Sequence, residues 1–328
     1  MIYKLLNSKR IAGLIIILVM VVLFWLEQLF NSAGYPFYEG ENQMPLFFGL
    51  SKLMMSQPHI SETLGLLLLI VSGLLVLRIS NEYVFFKIKT MLPMSIFLLI
   101  ACGFKQYHAL HPVYFGLVFM MLALYRLFSA YEARKPLVHA FDTGFLIGLG
   151  SLFYLNLLLY LPIMIVGVVL LGKETNWREV AFSLIAALIP WIFAFGGFFL
   201  LDDISTLVNS LQTCFFTFNK TLPDSIVMYA YTGFLLLLIL IGSLFILRKY
   251  DKKKVNLRQY YLIFFFVFVA AVLSAVFVPS SFWETFLLAA VPVSFLVSDM
   301  LNGIKNRLVG ETVVFLLIAF NIAIAIFG

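Results

Sequence analysis

Charged residues are scarce in this sequence. They make up 12% of its 328 residues, whereas 63% are hydrophobic. Soluble domains carry about 25% charged and about 45–50% apolar residues. So little polar surface cannot cover a water-soluble fold, which excludes a soluble globular protein. Lipid must therefore be the solvent for most of the chain, and in lipid only helices and closed barrels satisfy the hydrogen bonds of the backbone.

Cysteine is scarce as well. Cys102 and Cys214 are too few for a disulfide framework, and their spacing is not that of a cysteine metal site. The net charge of +6 comes from short basic clusters between apolar runs. This distribution argues against nucleic-acid binding and is typical of topology signals. No cofactor is expected, although a divalent cation at the pair Asp202 and Asp203 remains an alternative to helix capping by these residues.

The apolar residues occur in unbroken runs. Strands of a membrane barrel would alternate apolar and polar residues over about 10 positions, whereas residues 11–26, 234–247 and 313–319 are continuously apolar or nearly so. The sequence therefore predicts an all-α fold, a polytopic transmembrane helix bundle that forms a single domain over residues 1–328. The first apolar stretch, 11–30, approaches full bilayer length, which favours an uncleaved first span over a signal peptide.

The apolar runs predict about eleven spans. The stretch 140–171 is too long for one ordinary span and short for two, and glycine and proline interrupt it, so it is interpreted as a tight helical hairpin. The predicted spans are 11–30, 62–77, 91–104, 112–128, 140–153, 156–171, 179–200, 226–247, 259–277, 282–300 and 309–327.

The basic residues predict the orientation. With the N-terminus in the cytoplasm and the C-terminus outside, 19 of the 22 basic residues fall in cytoplasmic segments. Only Lys52, Lys105 and Lys220 fall outside. Because Lys and Arg are enriched on the cytoplasmic side of membrane proteins, this split supports both the number of spans and their direction.

Two long connections are predicted on the outer face, 31–61 and 201–225. The first carries Glu39 and Glu41 and then an apolar segment, 46–55, which is too short to span and is typical of an interfacial helix. Loop carboxylates of this kind can also be merely solvated. In the second connection, apolar residues recur at helical spacing over 204–218, which predicts an amphipathic interfacial helix.

The turn between the third and fourth spans holds Lys105, His108 and His111. The two histidines are three residues apart and would share one face of a helix. A zinc site needs three or four ligands, and the spacing supplies no third one, so interfacial hydrogen bonding is the alternative. The cation of Lys105 could hold a lipid phosphate.

Ionisable residues within the apolar segments lie near span ends: Glu27, Asp142, Glu284 and Asp299. In transporters, ionisable groups within the membrane mark the pathway of ions or substrates. A row of carboxylates at the midplane is not visible here, which weakens the interpretation as an ion-coupled transporter.

The order of these features resembles the GT-C superfamily of polytopic glycosyltransferases. The shared features are a first span ending outside, an acidic outer loop, an interfacial helix and many short spans. A basic turn followed by a glycine-punctuated hairpin, residues 124–153, adds to the resemblance. It covers about residues 1–200, whereas the C-terminal spans, 226–327, are generic. The chain also resembles a family of small bacterial inner-membrane proteins, which implies a multi-pass protein of the bacterial inner (plasma) membrane.

The GT-C resemblance implies sugar transfer from a polyprenyl-phosphate sugar at the outer leaflet. Members carry an acidic residue, commonly aspartate, in the first outer loop, and the matching positions here hold glutamates. Glu41 or Glu39 would then act as general base on an acceptor hydroxyl. Grooves between short spans would take the lipid tail. The residues expected to bind the substrate, with the lysines neutralising the leaving phosphate, are Lys52, Lys105, His108, His111 and Lys220.

Two other functions remain open. The chain could be a non-catalytic membrane subunit or scaffold of a cell-envelope complex, with envelope proteins docking on its outer amphipathic helix. It could also be a transporter or flippase for a lipid or small solute. An outer cavity with a carboxylate and a cation would favour the enzyme, a cavity across the midplane would favour transport, and a filled outer face would favour the scaffold.

Overall fold

The structure, a computed structural model, is a bundle of helices. It describes residues 3, 6, 11–30, 44–55, 57–131, 133, 136–172, 177–216, 225–278, 283–304 and 306–327, and these include no strand. The α-helices are α1 (Ile11–Phe30), α2 (Pro45–Met55), α3 (Pro58–Glu82), α4 (Leu92–Cys102), α5 (Pro112–Phe128), α6 (Pro136–Ser151), α7 (Leu161–Leu171), α8 (Trp177–Leu200), α9 (Ile204–Phe216), α10 (Ile226–Lys249), α11 (Val255–Phe277), α12 (Glu284–Gly303) and α13 (Arg307–Phe327). Three 3₁₀-helices are η1 (Lys105–Tyr107), η2 (Leu155–Tyr160) and η3 (Tyr250–Lys252).

Seven of the described helices are long and apolar enough to cross a membrane: α1, α3, α8, α10, α11, α12 and α13. The predicted helical membrane fold is confirmed at this level. A helix also lies at each of the eleven predicted spans. However, α4 has 11 residues and is about 16 Å long, well short of a hydrocarbon core of about 30 Å. Eleven crossings and their orientation therefore stay predictions.

The short helix α4 lies at the centre of the bundle. All 11 of its residues are buried, and it packs chiefly against α3 and α12. A helix that is hydrophobic on every side is surrounded either by protein or by lipid, and α4 is surrounded by protein. Because protein encloses α4, its length is not tied to the thickness of a bilayer.

The apolar stretch 140–171 is divided, as expected for a hairpin. Helix α6 ends at Ser151, and η2 with α7 follows after a turn at 152–154. Gly144 and Gly148 lie on the backbone of α8, where a Cβ on either glycine would collide with the carbonyl oxygen of Ser183 or Ala187. Small residues four apart let two membrane helices approach this closely. Gly144 and Gly148 therefore allow the close packing of α6 on α8.

Two surface helices lie at one end of the bundle, which the charge pattern predicts to face outward and which is called the predicted outer end below. Helix α9 occupies the described part of the predicted amphipathic segment, with Leu207 buried and Ser205, Asn209 and Gln212 exposed. Helix α2 occupies the predicted interfacial segment 46–55. Its Phe47 belongs to a small buried cluster with Leu110, Leu152, Leu155 and Trp191.

Candidate functional site at the turn 103–111

The turn 103–111 joins α4 to α5 and gathers polar side chains at the predicted outer end. His111 is the N-cap of α5, and Pro112 takes the first helical position, where a missing N–H costs nothing. On the other side, Gly65 of α3 lies so close that a Cβ would collide with the backbone of Ala109. The Leu110 amide also donates to the Ser61 hydroxyl, 3.3 Å away. These contacts fix the turn against α3.

The first polar site consists of Glu27, Lys105 and His108. The ammonium of Lys105 lies 3.0 Å from Oε2 of Glu27 and 3.4 Å from the carbonyl oxygen of Ala325. The ring of His108 stacks on Trp25, with centroids 4.7 Å apart, and its Nε2 lies 3.0 Å from the Cys102 carbonyl oxygen. The turn thereby ties the last turns of α1 and α13 to the end of α4.

The first polar site has little unbalanced charge and little free volume. Burial, reinforced by the charge of Lys105, lowers the pKa of His108 to about 4, so the ring is neutral at pH 7. Glu27 balances the charge of Lys105. The cavity that these residues line with Asn321 measures about 10 Å³, which is room for about one water molecule. In this arrangement the site is too small for a phosphate or a sugar.

The second polar site is built on His111 and Glu284. Nδ1 of His111 accepts the Val113 amide hydrogen at 3.1 Å, and Nε2 lies 3.2 Å from Oε1 of Glu284. A proton on Nδ1 would set two N–H donors against each other, so the neutral ring carries its proton on Nε2. This tautomer presents an N–H to the carboxylate. The side chain of His111 is 0% exposed and that of Glu284 is 6% exposed.

Tyr154, from the turn between α6 and η2, completes the second polar site. Its hydroxyl lies against the carboxylate of Glu284 and the side chain of Asn156, and all three residues are buried. The site therefore joins the first turn of α12 to two interhelical turns. A buried carboxylate is costly unless polar groups lie near it, and here the imidazole of His111 and the phenol of Tyr154 are its neighbours.

The chemistry of the second polar site follows from its hydrogen bonds. The Nδ1 lone pair of His111 is engaged by the Val113 amide, so the contact with Glu284 is made through Nε2. A buried carboxylate next to an imidazole and a phenol is suited to accepting a hydrogen bond from a hydroxyl-bearing ligand. Glu62, a second buried carboxylate, lies at the same end next to Ser61.

The sequence-predicted site residues are only partly brought together. Lys105 and His108 share the first polar site, whereas His111 belongs to the second, because the turn leaves helical geometry after Tyr107. Lys52 lies elsewhere on α2, exposed, with its ammonium 4.2 Å from the centroid of the Phe48 ring. Glu39, Glu41 and Lys220 lie outside the described residues.

Sequence reasoning did not assign Glu62, Tyr154, Asn156 or Glu284 to a site. The signal for Glu284 was present, since it is an ionisable residue in the apolar segment 282–300. Tyr154 and Asn156 look like ordinary turn residues, and only the fold shows that they meet Glu284. A group of three or more potential metal ligands does not occur among the described residues.

Comparison of the chain with protein-family models, with curated proteins and with solved structures found no match.

Proposed function

We propose that this chain is a membrane-embedded transferase that works at its predicted outer end, with eleven spans, a cytoplasmic N-terminus and an external C-terminus. The reaction proposed is transfer of a sugar from a polyprenyl phosphate to an acceptor hydroxyl, as the GT-C resemblance implies. One observation supports it above the others. Buried ionisable and polar side chains gather at the predicted outer end, around the turn 103–111 and next to α2, which follows the acidic loop. Ionisable groups in such places are costly and usually functional.

In the proposed reaction, Glu41 or Glu39 removes the proton of the acceptor hydroxyl. The acceptor oxygen attacks the anomeric carbon, and the bond from that carbon to the phosphate oxygen breaks. The polyprenyl phosphate leaves with the bonding electron pair. Lys52 and Lys220 are the cations proposed to neutralise it, because Lys105 already has Glu27 as a partner.

The test compares outer and cytoplasmic carboxylates. Loss of a general base costs about 10²–10⁴-fold in rate, whereas removal of a solvated charge changes stability by about 0.5 kcal/mol or less. We expect Glu39→Gln or Glu41→Gln to abolish complementation of a deletion strain at normal membrane levels. Glu132→Gln, in the predicted cytoplasmic turn, is the matched control and should complement. Full complementation by both outer variants would refute the proposed enzymatic function.

The proposed topology has its own test. A fluorescent reporter that matures only in the cytoplasm, fused after Gly328, should stay dark if an odd number of spans places the C-terminus outside. The same reporter fused after Lys253, in a predicted cytoplasmic connection, should fluoresce and is the control. Fluorescence from both fusions would mean an even number of spans, and the short helices α6 and α7 would be the first to reconsider.

A non-catalytic scaffold is the second candidate. It is favoured by the water-sized cavity of the first polar site and by α9, whose Ser205, Asn209 and Gln212 are exposed at the predicted outer end. Envelope proteins would dock on this polar face. If the scaffold is correct, the addition of two positive charges to α9 (Asn209→Lys with Gln212→Lys) abolishes complementation, while the Glu39 and Glu41 variants complement.

A further inference from the structure

An apolar groove runs between α10, α11 and α12 in the C-terminal part of the chain. Its volume is about 190 Å³, and the C-terminal end of α4 and Phe104 close its base. Every lining residue is apolar except Thr232 and Thr285. This groove lies in the spans that the sequence left without an assigned role, and no residue of either polar site is among its lining residues.

The groove exists because of how three helices pack. Helices α10 and α11 follow each other in the chain and are joined through η3, and each packs on α12 rather than on the other. Between them, the walls carry alanines in place of larger side chains: Ala271, Ala275, Ala289 and Ala290. Because these side chains are small, the space between α10, α11 and α12 stays open as a groove.

The surroundings of the groove decide what can occupy it. All three helices are among those long and apolar enough to span a membrane, so the groove opens toward lipid hydrocarbon. Its lining extends from Phe268 to Val276 on α11 and from Thr285 to Val293 on α12. Eight residue steps correspond to about 12 Å at 1.5 Å per residue. One leaflet contributes about half of a hydrocarbon core of about 30 Å, or about 15 Å.

We infer that this groove holds one acyl chain of a phospholipid from the leaflet at the predicted outer end. The length of the groove matches a chain confined to one leaflet, and one end of its lining, Thr285 and Phe286, belongs to the first turn of α12. A polyprenyl chain longer than a leaflet would leave much of its length outside. Phospholipids are also the most abundant chains in a bilayer, so mass action favours them. The inference does not depend on the proposed transferase.

The test uses the full chain, purified, delipidated and mixed with palmitoyl-oleoyl phosphatidylglycerol, with bound lipid counted by native mass spectrometry. We expect one tightly retained phospholipid per chain. Ala275→Phe and Ala289→Phe put a ring into the groove from α11 and α12 and should lower the retained fraction at least fivefold. Gly197→Phe on α8 is the control, since no described atom lies within 4 Å of a Cβ there, and it should retain lipid like the parent chain.

Each possible result decides for or against the inference. Equal retention in both groove variants and the parent chain would overturn it, as would the absence of a retained lipid in the parent chain. A polyprenyl phosphate that binds more than tenfold better than the phospholipid would reassign the groove to a different lipid. If a phenylalanine variant does not fold, Ala275→Leu or Ala289→Leu adds less bulk and is judged by the same loss of retention.

Discussion

The two polar sites at the turn 103–111 each contain a contact of similar length, but the first contact is partly exposed and the second is buried. In the first polar site, Lys105 lies 3.0 Å from Glu27, and their side chains are 25% and 49% exposed. In the second, His111 lies 3.2 Å from Glu284, and both side chains are almost fully buried. Nearly equal distances therefore describe interactions of very different energetic weight, because water screens one pair and is excluded from the other.

The difference bears on function. From the sequence alone, Lys105 is the residue expected to bind a ligand, since an isolated cation could hold a phosphate. The structure pairs that cation with Glu27 and leaves about 10 Å³ beside it. The second polar site was assigned through His111 alone, yet it contains a buried carboxylate next to an imidazole and a phenol. The burial and the partners of a side chain, rather than its residue type, indicate which of the two sites costs the fold desolvation energy.

The largest expected difference concerns the two carboxylates. Glu284→Leu removes the buried carboxylate that lies 3.2 Å from Nε2 of His111. It should lower the free energy of unfolding by about 1–3 kcal/mol, because a buried polar group loses its partner. Glu27→Leu removes an exposed partner of Lys105 and should change it by less than about 1 kcal/mol. Thermal unfolding in detergent, followed by tryptophan fluorescence, measures both variants. Equal losses would mean that burial does not separate the two sites.

The next prediction uses the pH dependence of His108. Its ordinary pKa of 6.5 is lowered to about 4 in the folded chain, so between these values the unfolded chain binds the proton that the folded chain rejects. Stability should therefore fall as pH drops from about 6.5 to about 4, by on the order of 2–3 kcal/mol. His108→Gln does not titrate and should lose less. Parallel unfolding curves for the two proteins across this range would contradict the neutral, buried ring.

The smallest expected effect is on the stability of Lys105 variants. In a double-mutant cycle of Lys105→Met and Glu27→Gln, the coupling energy should be below about 1 kcal/mol, because the pair is partly exposed. If Lys105 nevertheless binds a substrate phosphate after release from Glu27, Lys105→Met would abolish complementation without loss of stability. A coupling energy above about 2 kcal/mol would mean that the pair of Lys105 and Glu27 contributes to the stability of the bundle. The energetic difference between the two polar sites would then be smaller than expected.

Much of the fold could be predicted from the sequence. The run of apolar residues at 11–30 matches α1 at both ends, and the glycine-punctuated stretch 140–171 divides into two helices. These features are local, because apolar run length and helix-breaking residues act within one segment. The central position of α4 could not be predicted, since a short apolar run is compatible with a thin crossing as well as with a buried core helix.

The candidate site was less predictable. His108 and His111 were expected to share a face, but the helical geometry ends after Tyr107, and the two rings meet different helices. His111 finds Glu284 from α12 and Tyr154 from another turn, partners that are far away in sequence. Side chains brought together by packing leave no periodic signal in the chain, so residue spacing alone could not predict this cluster.

By itself, the sequence determined that this is a helical chain whose solvent is mostly lipid, and it located the helices, because composition and apolar run length fix both. Only the tertiary structure decided which polar residues are buried together and where the helices diverge to leave a groove. The physical reason is that burial depends on the neighbours of a side chain. Glu27 and Glu284 are the same residue type near the ends of apolar segments, and the packing around each makes one a screened surface charge and the other a buried partner of His111.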